Sequence, residues 1–264
     1  MNQVTAFRIA AQTRCFAQSF KKALHTAASI GCDGVQFDAR NEIRPSDISD
    51  TGLRHLRKML DDLNLRVGSL LFSARRTYSD PTDLDRRVAA TLDAMRLASK
   101  LQARVIVCNL GKIPVDFAGE QGAILADVIN TLTAHGMRLG VQLAARATFA
   151  ISSYLADFVD SFPDGTLYLD LHPASLMAAG HSPAEFVALL GQFVAHVHAV
   201  DSVRDFSASR YLEVELGRGS ADFPTLLGNL EEHEYRGWVT IERNGSAHTV
   251  EDFANAVKFL RSIS

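Results

Sequence analysis

The sequence has few cysteines, no long apolar run and no low-complexity linker, and each shortage excludes a class of protein. Three cysteines in 264 residues, Cys15, Cys32 and Cys108, are widely spaced and odd in number, which favours reduced thiols over a disulfide framework. No apolar run reaches membrane-spanning length, and no apolar stretch follows a basic segment at the N-terminus. We therefore expect a cytoplasmic protein that does not bind membranes.

A strongly charged surface is also absent, because the formal net charge is only -3. Nonspecific binding to nucleic acid depends on a basic field that this chain lacks, so we expect no nucleic-acid partner. Apolar residues make up 47% and charged residues 22%, as in ordinary globular proteins. The remaining expectation is a small-molecule partner.

Apolar periodicity predicts eight strands that alternate with eight helices. The strands are predicted at 4–10, 34–38, 65–72, 104–109, 140–145, 166–171, 193–201 and 238–242. The helices are predicted at 17–30, 46–63, 81–101, 119–135, 152–162, 183–192, 224–233 and 250–263. Eight regular strand–helix pairs with short connections favour a closed (β/α)8 barrel over an open sheet, with residues 1–264 as a single domain.

Candidate catalytic residues lie where the predicted strands end, since chemistry in such barrels belongs to the carboxyl ends of the strands. Alternation places four polar side chains inward at similar height on consecutive strands, namely Arg146, His172, His198 and Glu242. His196 shares a face with His198 but lies deeper, as a core histidine would. Asp170 is interpreted either as a replacement for a missing metal ligand or as the group that orients His172. Asp201 is interpreted as a cap of the following loop.

Cations follow several predicted strands and could form a positively charged mouth. These arginines are Arg40, Arg75, Arg76, Arg146, Arg210 and Arg218. Together they would attract a ligand that carries phosphate or carboxylate. We therefore list Arg40, Arg75, Asp170, Arg210 and Arg218 as candidate substrate-binding residues.

Four motifs carry a family resemblance, and three of them follow one another in the C-terminal part of the chain. They are Gly31-Cys-Asp-Gly-Val-Gln-Phe, His196-Val-His-Ala-Val-Asp, Leu216-Gly-Arg-Gly-Ser-Ala-Asp-Phe and Tyr235-Arg-Gly-Trp-Val-Thr-Ile-Glu-Arg. Through them the chain resembles the sugar phosphate isomerase/epimerase superfamily, the xylose isomerase-like TIM barrels, over essentially its whole length.

The resemblance implies a divalent metal held by a Glu after strand five, an Asp after strand six, a His in strand seven and a Glu in strand eight. His198 and Glu242 match the last two ligands, whereas Arg146 and His172 fall where the first two acids should stand. With neutral histidines the family set carries three negative charges, but these four residues sum to zero. A unit charge pair at about 4 Å is worth roughly 4 kcal/mol at an effective dielectric near 20, so an inward Arg146 opposes the usual ion.

Three interpretations of Arg146 remain open from the sequence. Its guanidinium could form a buried ion pair with Glu242 or another carboxylate and replace the metal as a structural cation. If it points outward, His172, His198 and Glu242 could instead hold Mn, Zn or Co weakly. It could also clamp an anionic substrate with its bidentate geometry. We prefer a metal-free site.

Two functions follow from the resemblance. The first is an isomerase or epimerase that acts on a small sugar, sugar acid or sugar phosphate by proton transfer next to a carbonyl. Glu242 would be its base, His198 and His172 would polarise oxygens, and Arg146 would stabilise the enediolate charge. The alternative is an inactive family member, a pseudoenzyme that binds a sugar-like or anionic ligand without turnover.

Overall fold

A closed barrel of eight parallel strands forms the centre of the computed structural model, which confirms the predicted (β/α)8 fold. The structure describes residues 7–111, 113–114, 119–146, 152–205, 210–244 and 249–264, with only the backbone for 152, 153 and 210. The strands are β1 (Arg8–Gln12), β2 (Gly34–Asp38), β3 (Arg66–Phe72), β4 (Val105–Asn109), β5 (Gln142–Arg146), β6 (Leu167–Leu171), β7 (Val194–Ala199), β8 (Asp201–Asp205), β9 (Arg210–Val214) and β10 (Trp238–Ile241). All but β8 and β9 belong to the barrel, which closes where β10 pairs with both β1 and β7.

Helices follow the strands and cover the outside of the barrel. They are α1 (Phe20–Ser29), α2 (Asp50–Asp62), α3 (Leu84–Lys100), α4 (Glu120–Leu139), α5 (Ser152–Asp160), α6 (Pro173–Ala178), α7 (Pro183–Leu190), α8 (Phe223–Glu232) and α9 (Val250–Ser262). Each long helix buries one apolar stripe, which in α2 consists of Leu53, Leu56 and Leu60. In the described part of the chain, no helix is both long and apolar enough to cross a membrane.

The inside and the outside of the barrel have separate apolar contacts. Alternating side chains point inward and outward along each strand. Outward side chains pack against the helices in one large cluster. The inward side chains Leu71, Val105, Val107 and Ala144 form a small second cluster that fills the middle of the barrel. All carboxyl ends of the parallel strands meet above this layer, which places the polar residues there in one site.

Two elements differ from the sequence prediction. No strand was predicted between the strand at 193–201 and the helix at 224–233, a segment interpreted as a polar loop, but β8 and β9 pair there as an antiparallel hairpin, with Asp201 opposite Val214 and Asp205 opposite Arg210. The loop interpretation was wrong because the charged residues of these strands hide their alternation. Helix α6 was also not predicted, since it is a short helix started by Pro173. Residues 4–6 of the predicted first strand lie outside the described residues.

Asp201 holds the loop after the hairpin, as expected of a loop cap. Its carboxylate accepts backbone N–H groups of Ser202, Gly217, Gly219 and Ala221 at 2.8–3.1 Å. A Cβ on Gly219 would lie 1.9 Å from Asp201 Oδ1, so only glycine permits this close approach. The Gly-Arg-Gly-Ser segment is therefore built around a buried carboxylate.

Candidate active site

Two neighbouring strands, β6 and β7, bring a carboxylate and two imidazoles together inside the barrel. His196 and His198 both point inward from β7, as alternation predicted, and both are fully buried. Asp170 of β6 lies beside His196 in the strand register. Its Oδ1 atom is 2.8 Å from Nδ1 of His196 and 2.7 Å from Nδ1 of His198. The expectation that Asp170 orients His172 was wrong, because its partners are the histidines of β7.

Arg146 adds a cation to this group. It ends β5, and its Nε donates to Asp170 Oδ2 at 2.7 Å. One terminal nitrogen lies 2.9 Å from His198 Nδ1 and 3.5 Å from Glu242 Oε2. Only 14% of the Arg146 side chain is exposed. The structure therefore shows the buried ion pair that the sequence left as one of three interpretations.

The charges of the ion pair hold one another in place. Burial alone would lower the pKa of Arg146, but Asp170 and Glu242 raise it above its ordinary value. Burial alone would raise the pKa of the Asp170 carboxyl, but His198 and Arg146 hold it well below its usual range. Both groups are consequently charged at neutral pH.

Glu242 has one satisfied and one unsatisfied oxygen. It follows β10, and its Oε1 accepts from the side-chain amide of Asn244 at 3.0 Å. Within the described residues its buried Oε2 has no hydrogen-bond partner. Nitrogens of Arg146, His198 and His172 lie 3.5, 3.5 and 3.6 Å away, too far for good hydrogen bonds. This oxygen thus faces a narrow space surrounded by nitrogen atoms.

The same nitrogens keep Glu242 ionised. Burial alone would raise the pKa of its carboxyl, but His172, His198 and Arg146 hold it well below the usual value. Its Oε2 is therefore a buried, charged acceptor without a hydrogen-bond partner among the described residues. Such a group costs free energy, which is typical of functional sites rather than of a packed core.

His172 lies one residue beyond β6 and caps α6. Its Nδ1 accepts the backbone N–H of Ser175 at 3.2 Å, so in the neutral ring Nε2 carries the proton and faces Glu242. The ring stacks on His198 with 5.6 Å between the centroids. The family resemblance placed His172 where an acid should stand, whereas in the structure it is Asp170 that contacts both histidines of β7.

His198 is a neutral ring between the two carboxylates. Burial, together with the positive charge of Arg146, lowers its pKa to about 3. Its Nε2 lies 3.0 Å from Gln36 Oε1, on the side opposite Asp170. Because a neutral ring has one proton, His198 can donate to Asp170 or to Gln36 but not to both.

Four polar residues below the site were not predicted: Gln12, Gln36, Ser69 and Thr240 are all fully buried. Gln36 accepts from Gln12 Nε2 at 2.7 Å and donates to Ser69 Oγ at 2.8 Å. His196 Nε2 lies 3.0 Å from Ser69 Oγ and 2.9 Å from Thr240 Oγ1. Because Nδ1 of His196 faces the Asp170 carboxylate, it carries the proton in the neutral ring, and Nε2 is then an acceptor that faces both hydroxyls. The expectation of a satisfied core histidine at His196 is therefore met.

Arg14 is a further cation that sequence reasoning missed. It lies in the turn after β1, 38% exposed, at the mouth of the site. Its terminal nitrogens are 3.5 Å from Asp38 Oδ2 and 3.6 Å from Glu242 Oε1. Only the position of Arg14 just after a strand could have indicated it.

The predicted rim arginines do not touch this cluster in the described part of the chain. Arg40 donates to the carbonyl oxygen of Ser73 at 2.8 Å, and Arg75 is exposed. Arg218 is 75% exposed and pairs with Glu215 at 2.8 Å. The side chain of Arg210 lies outside the described residues. Their role in binding a ligand stays a prediction.

The donor set fits a divalent metal poorly. Asp170, His196 and His198 offer ligand atoms that lie within 4.8 Å of one another. However, the Arg146 guanidinium already contacts Asp170 and His198 and approaches Glu242. The alternative set of His172, His198 and Glu242 required an outward Arg146, and the structure has it inward. A metal ion bound here would be repelled by the buried positive charge of Arg146.

Two characterised proteins are similar to this chain over most of its length. An inosose dehydratase from Clostridium beijerinckii is 23% identical over 270 residues, covering 91% of this chain and 87% of that protein. An L-ribulose 3-epimerase from a Methylomonas species is 23% identical over 261 residues, with 92% and 85% covered.

Solved structures share the same fold. A xylose isomerase domain protein from Planctomyces limnophilus has a TM-score of 0.85 at 19% identity, with 97% of both chains covered. A xylose isomerase-like TIM barrel protein from Mycobacterium smegmatis, in complex with magnesium, has a TM-score of 0.82 at 17% identity, covering 99% of this chain and 98% of that one. The family model described as xylose isomerase-like TIM barrel matches residues 24–263. The chain therefore belongs to this family.

Proposed function

We propose that this protein is an isomerase or epimerase of a small sugar, sugar acid or sugar phosphate that works without a divalent metal. One observation carries the proposal. The Arg146 guanidinium contacts Asp170 and His198 and lies 3.5 Å from Glu242. It thus occupies the position that a metal ion bound by these three residues would take. The similarity to an L-ribulose 3-epimerase and an inosose dehydratase supports a sugar-like substrate.

Glu242 is the proposed base. Its low pKa keeps it ionised, and Oε2 has no hydrogen-bond partner among the described residues, so the oxygen is free to accept a proton. It would take the proton from the carbon next to a carbonyl, while the electron pair moves to the carbonyl oxygen. Delivery of a solvent proton to the opposite face of that carbon, as the electron pair returns from the oxygen, gives an epimer, and Glu242 releases the first proton to solvent. Transfer of the proton from Glu242 to the former carbonyl carbon gives an isomer when the neighbouring hydroxyl passes its own proton to the former carbonyl oxygen.

Arg146 and His172 would stabilise the enediolate. A guanidinium facing the developing oxyanion supplies positive charge in a site where water is largely excluded. The Nε2 proton of His172 is directed toward the same space. His198 touches Arg146 and Gln36, and we assign it the role of fixing the guanidinium rather than of transferring a proton. Arg14 at the mouth would meet an anionic group of the substrate.

A pseudoenzyme is the second candidate, and one observation favours it. The low pKa of Glu242 makes it a weak base, whereas an efficient base has a pKa near the working pH. In that case the site would bind a sugar-like or anionic ligand without turnover.

Solvent deuterium exchange distinguishes the two. Protein treated with EDTA is incubated in D2O with ketoses, aldoses and their phosphates, and deuterium at the carbon next to the carbonyl is followed by NMR. The enzyme proposal expects exchange that survives EDTA, disappears in Glu242→Gln and persists in Glu232→Gln, a control at an exposed glutamate of α8. Ligand binding without exchange would support the pseudoenzyme, and exchange only with added metal would contradict the metal-free proposal.

Two further expectations stay proposals. We propose that residues 1–264 form one barrel domain and that the protein acts in the cytoplasm with reduced thiols. The three cysteines are free in the described structure, and Cys32 and Cys108 are buried. Fluorescence microscopy of the tagged protein would test the location, and limited proteolysis would test the single domain.

A further inference from the structure

A cavity opens at the end of the barrel opposite the candidate active site. Its volume is about 730 Å³, and it lies at the amino ends of the strands. Arg8, Arg66, Gln142 and Trp238 are each the first residue of a strand and line it. The catalytic proposal uses no residue of this end.

The cavity wall is strongly positive. Four arginines, Arg8, Arg57, Arg66 and Arg104, line it with only one acid, Asp61. This local excess contrasts with the net charge of -3 for the whole chain. Composition alone does not explain four arginines around one concavity, because acidic residues outnumber basic ones overall.

Three of these guanidinium groups have no carboxylate partner in the part of the chain that the structure describes. Arg66 pairs with Asp61 at 3.0 Å. Arg57 donates to the carbonyl oxygen of Lys100, and Arg8 stacks over the Trp238 ring at 4.5 Å. The Arg104 side chain makes neither a hydrogen bond nor an ion pair with any described residue. The wall therefore presents unneutralised cations to the cavity.

Trp238 makes the floor of the cavity rigid. Its indole is 7% exposed and lies directly on the backbone of two glycines. A Cβ on Gly34 would be 2.7 Å from the ring, and a Cβ on Gly68 would be 2.8 Å from it. The ring in turn supports the Arg8 guanidinium by a cation–π contact. At least one cation is thus held in a fixed position.

We propose that this cavity binds a small multivalent anion of the phosphate class. Guanidinium groups bind phosphate oxygens through paired N–H donors, and a preorganised cation loses little freedom on binding. Several unpaired cations around one concavity favour a ligand with more than one anionic group. The site is distinct from the proposed catalytic one, so each can fail without the other.

Trp238 allows a direct test because it is the only tryptophan of the chain. Inorganic tripolyphosphate is titrated into the full-length protein while the Trp238 emission is recorded, and calorimetry gives an independent Kd. The expected result is a saturable change that weakens as salt is added, since exposed charges are screened. A response no larger than that to sodium chloride of equal ionic strength would overturn the proposal.

Matched variants locate the binding. Arg104→Gln should weaken tripolyphosphate binding roughly fivefold or more, the loss expected for one exposed charged contact. Arg104 is exposed and its side chain makes no hydrogen bond or ion pair with a described residue, so the variant should fold normally, and circular dichroism checks this. Arg86→Gln removes the same charge from an exposed position of α3 that does not line the cavity, and should leave the Kd unchanged. Equal weakening in both variants would show nonspecific attraction and contradict the assignment.

Discussion

Replacement of Arg146 by methionine should destabilise the protein strongly, because it leaves two carboxylates buried without their cation. The Arg146 nitrogens lie 2.7 Å from Asp170 and 3.5 Å from Glu242. At these separations each pair is worth roughly 5 to 6 kcal/mol at an effective dielectric near 20. Removal of Arg146 also removes its own desolvation cost of several kcal/mol, so the expected net loss is about 3 to 5 kcal/mol.

The loss should depend on pH in a defined direction. Asp170 and Glu242 have lowered pKa values in the folded protein. They therefore stabilise the wild type at pH values above their unfolded pKa values of about 4. This stabilisation is lost as the pH falls through their folded pKa values. Without Arg146 burial raises both pKa values, and the folded variant then takes up protons more readily than the unfolded chain. The stability gap between wild type and variant should therefore narrow as the pH is lowered.

Urea unfolding followed by circular dichroism, at neutral pH and at about pH 5, measures both effects. Arg96→Met is the matched control, because Arg96 forms an exposed pair with Asp93 that should contribute only about 0 to 1 kcal/mol. An Arg146→Met protein within about 1 kcal/mol of wild type would refute the reasoning, since that loss is typical of a surface pair. A difference in unfolding free energy between wild type and variant that does not change with pH would also refute it.

Three further predictions concern the fold. Asp201→Ala removes the acceptor of four backbone N–H groups and should cost about 3 kcal/mol in urea unfolding; an unchanged midpoint would show that the loop does not need this carboxylate. Gly68→Ala places a Cβ 2.8 Å from Trp238 and should cost about 1 to 3 kcal/mol with a shifted tryptophan emission, and a variant as stable as wild type would contradict the close contact. Burial raises the pKa of all three cysteine thiols to about 12, so DTNB at about pH 8 should label them only after unfolding; rapid labelling of the native protein would disagree.

The barrel and the inward histidines could be predicted from the sequence because both depend on local periodicity. The run from Val105 to Val107 is apolar on both faces, as a buried parallel strand requires. Alternation in β7 was sufficient to place His196 and His198 on one face. The same reasoning placed Arg146 inward at the end of its strand.

The partners of these residues could not be predicted, because they are distant in the sequence. Gln36 meets His198 across 162 positions, and nothing in its own strand distinguishes it from a filler of the barrel interior. The sequence could decide which of Asp170 and His172 contacts the histidines of β7 only through the family resemblance. In the structure Asp170 lies within β6 and His172 lies one residue beyond its end. Arg14 lies in a turn that has no periodicity to interpret.

We propose that the Arg146 guanidinium takes the place of a divalent metal ion. Metal content of the wild type, purified without chelators and measured by mass spectrometry, tests this most directly, with Arg146→Glu as the comparison because it supplies the missing acid. The wild type should hold well below one manganese, zinc, cobalt or magnesium ion per chain. One tightly bound ion per wild-type chain, lost in His198→Ala, would contradict the claim.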